Sequence, residues 1–219
     1  MNVFDIIGPI MVGPSSSHTA GAVRIGKVAR VLLGEEPVKA NITFHGSFAR
    51  NYRGHGTDRA VVGGLLGFET DDLRIRNSLR LAEAAGLEYT IQTGDLGEVH
   101  PNTVRIEAEG KSGKAIEVIA SSVGGGSIVV KEIDRLEVDF TGESHTIVIS
   151  HQDAPGAVAS VTSLLAVYKI NIGQMKVHRT RRGGDAIMVI ETDQEPAGEV
   201  AEKLGKLECV QKVTLLRPV

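Results

Sequence analysis

The chain is 219 residues long, 42% hydrophobic and 23% charged, with a formal net charge of −3. Those proportions describe a globular protein with room for one large or two small domains. The slight negative charge gives no electrostatic case for nucleic acid or an anionic membrane as partner, and the absence of tryptophan removes a base-stacking surface.

Met1 to Val12 is apolar but interrupted by Asp5, with no leading Lys or Arg and no small-residue cleavage site. It reads as neither a signal peptide nor a spanning helix. A single cysteine, Cys209, excludes an internal disulfide and points to a reducing, cytosolic compartment.

Gly13-Pro14-Ser15-Ser16-Ser17-His18-Thr19 ends the first apolar run. Ala22, Ile25, Ala29 and Leu32 then recur at helical spacing, which makes Ser16, Ser17 or Thr19 the expected N-cap. Free N–H groups at such a helix start, joined by hydroxyls and an imidazole, suit a small anion. A solvated serine-rich cap is the plainer alternative.

Val38 to His45 alternates as a strand. Gly46 to Asp58 reads as a loop punctuated by Gly46, Gly54 and Gly56. Ala60 to Leu66 is a short helix capped by Thr57 or Asp58. Asp71 or Asp72 caps another helix that runs to Ala85, with Leu73 among its apolar contacts and Gly86 as its stop. Leu87 to Thr93 is strand-like, Thr103 to Ala108 and Ala115 to Ser121 form a hairpin, and Ser127 to Ile133 and Leu136 to Phe140 follow. The first domain is therefore α+β, from Met1 to Phe140.

Beyond the polar boundary at Thr141 to Ser144 comes a β-α-β-β-α-β order. Its elements are a strand from His145, a helix from Ala157 to Tyr168 with Val158, Val161 and Leu165 inward, and a hairpin of Ile172 to Thr180 with Ala186 to Thr192. Pro196 at N1 then opens a helix to Leu207, and Val210 to Leu216 is the last strand. The turn Asp153-Ala154-Pro155-Gly156 and the later Asn171-Ile172 resemble the ACT family of amino-acid-sensing domains over residues 144–219. That resemblance implies a ferredoxin-like domain that self-associates and places an effector, if it binds one, at Asp153, Ala154, Pro155, Gly156, Asn171 and Ile172.

Chemistry concentrates in three places. Gly54-His55-Gly56-Thr57-Asp58 sets an imidazole between glycines, on backbone that can approach a ligand closely. Histidine exchanges protons near neutral pH, and Asp58 either orients the ring or caps the following helix. His100-Pro101-Asn102-Thr103 adds a third imidazole and an amide that both donates and accepts, or is simply a turn into the next strand. No Walker pattern and no strand–GxGxxG–helix unit occurs, and the close-spaced ligand pairs of zinc sites are missing. The lone thiol cannot by itself hold an iron–sulfur cluster.

The three motifs in this order, followed by the ACT-like tail, resemble the beta-chain family of bacterial iron–sulfur-dependent L-serine dehydratases. The first domain is also similar to the allosteric substrate-binding domain of some phosphoglycerate dehydrogenases. The resemblance implies an L-serine ammonia-lyase: deamination of L-serine to pyruvate and ammonia, with an alpha chain as partner supplying the cysteines of a [4Fe–4S] cluster. It implies His55, then His18, then His100 for proton transfer. It places Ser15, Ser16, Ser17, Thr19, Thr57, Asp58 and Asn102 around the substrate and assigns no metal ligand to this chain. A regulatory protein without catalysis, built from a substrate-binding-like domain and an ACT sensor, is the alternative from another class.

Overall fold

The computed structural model describes residues 10–219; the reading of the apolar stretch from Met1 lies, up to residue 9, outside the described residues. The chain divides into two compact units at Asp134–Arg135. Both residues of that boundary have positive φ, 50° and 65°, as a two-residue hairpin turn requires.

The first unit begins with a π-helical turn, Ser16–Gly21, that runs directly into α1 (Ala22–Leu33). The helical spacing does what it promised: Ala22, Ile25, Ala29 and Leu32 are all buried. Each large aliphatic side chain so removed from water contributes about 1.5–3 kcal/mol. Then follow β1 (Pro37–Phe44), α2 (Gly46–His55), α3 (Thr57–Leu65), a 3₁₀ turn at Leu73–Asn77 and α4 (Ser78–Ala84). The strands β2 (Glu88–Thr93), β3 (Thr103–Gly110), β4 (Ala115–Gly124) and β5 (Ser127–Ile133) complete a sheet of order β2-β1-β3-β4-β5; the next strand, β6 (Leu136–Phe140), falls in the second unit, so the division comes before Phe140, where the sequence ends the first domain. β1 and β2 are parallel, so the helices α2, α3 and α4 form the crossover between them. Val104 and Ile106 of β3 and Val118 and Ala120 of β4 are buried in the strands against which α1 packs, and α3 packs on α1.

α1 and α3 cross at glycine. A Cβ on Gly64 would lie 2.1 Å from the Val23 carbonyl oxygen, and one on Gly26 would lie 2.3 Å from that of Val61. Backbone therefore touches backbone, which only a missing side chain permits. The helix expected between Asp72 and Ala85 is split. Asp72 caps the 3₁₀ turn through the Arg74 N–H at 2.9 Å, and Leu73, expected to be a core contact, is 66% exposed. Gly86 ends α4 with φ +78°.

The second unit places β7 (His145–Gln152), α5 (Ala157–Val167), β8 (Ile172–Arg179), β9 (Asp185–Thr192), α6 (Gly198–Leu204) and β10 (Val210–Leu216) in the βαββαβ order. The sheet runs β10-β7-β9-β8 with antiparallel neighbours. Ile147, Ile149, Val161, Leu165, Met188, Ile190, Val200 and Leu204 make its core. Val158 is 44% exposed rather than inward. Pro196 stands before the N-cap Ala197 instead of at N1. Both units are mixed α and β, and the second is ferredoxin-like. Among the described residues, no helix is long and apolar enough to cross a membrane.

Candidate active site

Ser15, one residue before the expected caps, is the residue that starts the π-helical turn. Its backbone is extended and its Oγ accepts the His18 N–H at 3.2 Å. Ser16, Ser17 and Thr19 lie within the turn, with Thr19 only 2% exposed. Gly13 makes room for that threonine: a Cβ there would sit 2.5 Å from Thr19 Oγ1. π-helical turns recur at functional sites because they redirect side chains without ending the helix.

The stretch from Gly46, expected to be a loop, is the helix α2 as far as His55. Two contacts from distant parts of the chain explain the difference. Gly46, at φ +53°, lies so close to Pro101 that a Cβ would approach its carbonyl oxygen to 2.6 Å. That same carbonyl accepts the Ser47 N–H at 2.7 Å, satisfying a donor the helix start would leave unpaired. Phe48 is fully buried, edge-on to Phe44, and Tyr52 stacks on the other side of Phe44 at 5.3 Å. Gly56 then closes the helix in the left-handed conformation at φ +69°.

A helix here has a chemical consequence: Ser47, Asn51 and His55, four residues apart, share one face. The π-helical turn presents His18 to that face. His18 Nε2 is 3.3 Å from Ser47 Oγ and its Nδ1 is 3.4 Å from Ser15 Oγ. Asn51 Nδ2 donates to Ser47 Oγ at 3.4 Å. The His18 ring lies 4.7 Å from the His55 ring, centroid to centroid, and 5.1 Å from Phe48. His55 Nδ1 faces the Asn51 carbonyl at 3.4 Å, and Thr19 Oγ1 donates to the His55 carbonyl at the same distance. Because a carbonyl only accepts, the neutral His55 ring carries its proton on Nδ1 and leaves Nε2 as the basic atom.

Two imidazoles this close cannot both be charged without cost. Burial first, and then the neighbouring His55, hold the His18 imidazole below its usual range, while the Ser47 backbone works in the opposite direction. The folded state therefore resists a proton that the unfolded chain accepts, and on this account stability falls as pH drops through about 6.5. Replacing His55 with glutamine removes the opposing charge, so the titration midpoint of His18, followed by its imidazole NMR signals, is expected to rise. An unmoved or lowered midpoint would contradict the pairing.

The remaining motif residues are placed differently. His100 is exposed and its Nδ1 accepts the Asn102 N–H at 3.1 Å; none of its contacts is with His18 or His55. Asn102 reaches the Ser122 carbonyl at 3.5 Å and leaves a buried Oδ1 without a partner. Thr57 is fully buried with an unpartnered Oγ1. Asp58, 9% exposed, accepts the Arg59 N–H at 2.8 Å, and burial pushes its carboxyl above the usual range. Neither lines the cavity of about 180 Å³ that His55, Gly13 and Thr19 border. The structure thus joins the first two motifs and gives the third a structural task, the support of α2 through Pro101. Ser47 and Asn51 are absent from the sequence reading, although their spacing to His55 is helical and was the available signal.

In the second unit the Asp153 carboxylate accepts from Arg179 Nη1 at 2.7 Å and from the Gly183 N–H at 2.9 Å. These partners, the Gly183 N–H foremost, hold it below the usual carboxylate range. Gly156 begins α5 at φ +89°, next to Ala154 and Pro155. Asn171 donates to Asp193 Oδ2 at 2.6 Å, just before Ile172 opens β8. Among the described residues no group of three His, Cys, Asp or Glu side chains converges as a metal site would require.

Two family models match this chain: serine dehydratase beta chain over residues 2–98 and ACT domain over residues 145–209. It is 45% identical over 213 residues to a probable L-serine dehydratase beta chain of Bacillus subtilis, covering 97% of this chain and 96% of that one. It is 41% identical to the L-serine dehydratase beta chain of Peptoniphilus asaccharolyticus, covering 88% and 87%. A D-3-phosphoglycerate dehydrogenase of Archaeoglobus fulgidus is 28% identical over 88% of this chain but only 37% of its own length. Paired histidines, an ACT unit later in the sequence and identity of 41–45% to two beta chains over most of both lengths converge: the chain belongs to the serine dehydratase beta chain family.

Proposed function

We propose that this chain is the beta subunit of an L-serine dehydratase and that its paired histidines, His18 and His55, perform the proton transfers. The observation that carries this reading is the 4.7 Å approach of the two rings beside an open cavity. Overall, L-serine loses water to give 2-aminoacrylate, which tautomerises and takes up water to give pyruvate and ammonia. The first of these steps needs a base at the Cα proton and an escape route for hydroxide, a poor leaving group.

His55 supplies the base. Its Nε2 takes the Cα proton, while the Asn51 carbonyl keeps Nδ1 protonated and fixes the ring plane. His18, held neutral between two hydroxyls, stands by to share the proton His55 has gained, with Ser47 and Asn51 fixing its orientation. Ser16 and Ser17, in the same turn, offer hydroxyl hydrogen bonds to the substrate, while Thr19 lines the cavity with its hydroxyl donated to the His55 carbonyl.

The reading includes a [4Fe–4S] cluster, which when bound supplies a Lewis acid for the departing hydroxyl. This chain does not have the donors to hold it: its one cysteine, Cys209, lies in the ACT unit, far along the sequence from the histidine motifs. The ligands are therefore assigned to an alpha chain, and no proton step of this chain passes through the cluster. The ACT unit, by the same resemblance, is the place for self-association and for an effector near Asp153 to Gly156.

The test is to co-express this chain with its alpha chain, purify the complex without oxygen and follow pyruvate release from L-serine. Pyruvate formation that needs both chains is the expected result. A complex that binds L-serine but never forms pyruvate would replace this reading with a purely regulatory one.

A further inference from the structure

The cavity beside His55 has a charge that the proton-transfer chemistry does not use. Three arginines line it, Arg53 from the last turn of α2, Arg59 from the first turn of α3 and Arg76 from the 3₁₀ turn, and no carboxylate does. Arg53, Arg59 and Arg76 make no ion pair at all among the described residues; Arg53 only lies over the Tyr52 ring at 5.4 Å. Asp58, the neighbouring acid, lies within electrostatic reach of Arg59 and Arg53 but forms no ion pair with either; its carboxylate accepts the Arg59 backbone N–H, and it does not line the cavity.

One largely buried carboxyl does not neutralise three guanidinium groups, and the arrangement is unfavourable without a further anion. Three like charges around about 180 Å³ repel one another. Arg59 also sits at a helix N-terminus, the end where a cation is destabilising. A folded protein retains such an arrangement where an anion relieves it, and the planar fork of guanidinium matches a carboxylate in particular. Hydroxyls such as those of Ser16 and Ser17 can hydrogen-bond a carboxylate but cannot neutralise it.

We propose that Arg53, Arg59 and Arg76 are the anchor for the carboxylate of the amino-acid substrate, on the side of the cavity that His55 borders. This rests on the reading of the chain as a dehydratase subunit. The anchor holds the carboxylate in the ground state and transition state alike, so its loss weakens binding more than turnover. The same chemistry admits other small monocarboxylates, including the product pyruvate, which lacks the ammonium group.

All three arginines are exposed, so Arg53→Gln and Arg76→Gln, singly and together, leave the fold intact. In the assembled complex the double variant is expected to raise KM for L-serine about tenfold to a hundredfold, the worth of charge-assisted hydrogen bonds, and to lower kcat by less. Inhibition by added pyruvate should weaken in parallel. Independently of activity, titrating the full chain alone with pyruvate should shift the Arg53 and Arg76 Nε–Hε NMR signals and those of the His55 imidazole saturably, and the double variant should abolish the shift at His55. An unchanged KM together with unshifted arginine signals overturns the anchor. So does loss of the alpha chain from the double variant on size exclusion, which would make the arginines a docking surface for acidic residues of that partner. Should the wild-type complex prove inactive on L-serine while the pyruvate titration still saturates at the arginines, the dehydratase reading fails and the carboxylate site stands.

Discussion

Replacing His55 with alanine in the assembled two-chain enzyme should lower kcat by about a hundredfold to ten-thousandfold, the usual worth of a positioned general base, with a much smaller change in KM. The size of the effect follows from how completely the ring is positioned. α2 carries it, the Asn51 carbonyl sets its tautomer, Thr19 holds its backbone carbonyl, and His18 packs on its face. Alanine keeps the helix but removes the imidazole that borders the cavity. His100→Ala, by contrast, alters a ring whose hydrogen bond is with the Asn102 N–H, so its rate should stay within about threefold of the parent, small on the general-base scale. Steady-state kinetics of both variants decides the matter. A His55→Ala enzyme with parental kcat, or a His100→Ala enzyme as impaired as His55→Ala, would remove His55 from the role of base.

The second large effect concerns stability. Gly64→Ala places a methyl 2.1 Å from the Val23 carbonyl oxygen and 2.8 Å from the Gly26 Cα. Both are backbone atoms of α1, so α1 and α3 must separate to admit it. Alanine gains up to about 1 kcal/mol in helix propensity over glycine, whereas overpacking costs about 1–3 kcal/mol or more. The clash wins here because no side chain can rotate away. A net loss of about 2 kcal/mol lowers the unfolding midpoint by about 4–8 °C for a chain of this size. Gly54→Ala in α2 is the matched control. Nothing lies within 4 Å of its added Cβ, and only the propensity gain remains, so that variant should melt no lower than the parent. Calorimetry showing equal midpoints for the two variants would contradict the close helix crossing.

Much of the architecture was legible from pattern alone. Period-two alternation marked the hairpin of β3 and β4, and the helical spacing from Ala22 marked α1. These elements bury one face of their own sequence, so periodicity records them. The places where reading and structure part share a different cause. α2 is rich in polar residues and glycine and has no apolar stripe beyond Phe48 and Tyr52, so it reads as a loop. It is a helix because Phe44 and Pro101, from other parts of the chain, cover its aromatic pair and its first N–H groups. Leu73 and Val158 were assigned inward by type and position but face solvent, since a short helix covers less area than its apolar residues offer.

The sequence by itself determined the fold class of both units, the ACT-like order of the second, the residue types of the candidate site and the family to which they point. Local spacing and chemistry are written in neighbouring residues and need no partner to be read. Only the tertiary structure decided that His18 and His55 face each other while His100 stands apart, that Ser15 rather than its neighbours caps the turn, and that Ser47 and Asn51 join the site. It alone gathered Arg53, Arg59 and Arg76 around one cavity without an acid between them. Those relations depend on distances between segments that are remote in the chain, and such distances are fixed only when the core between α1, α3 and the sheet closes.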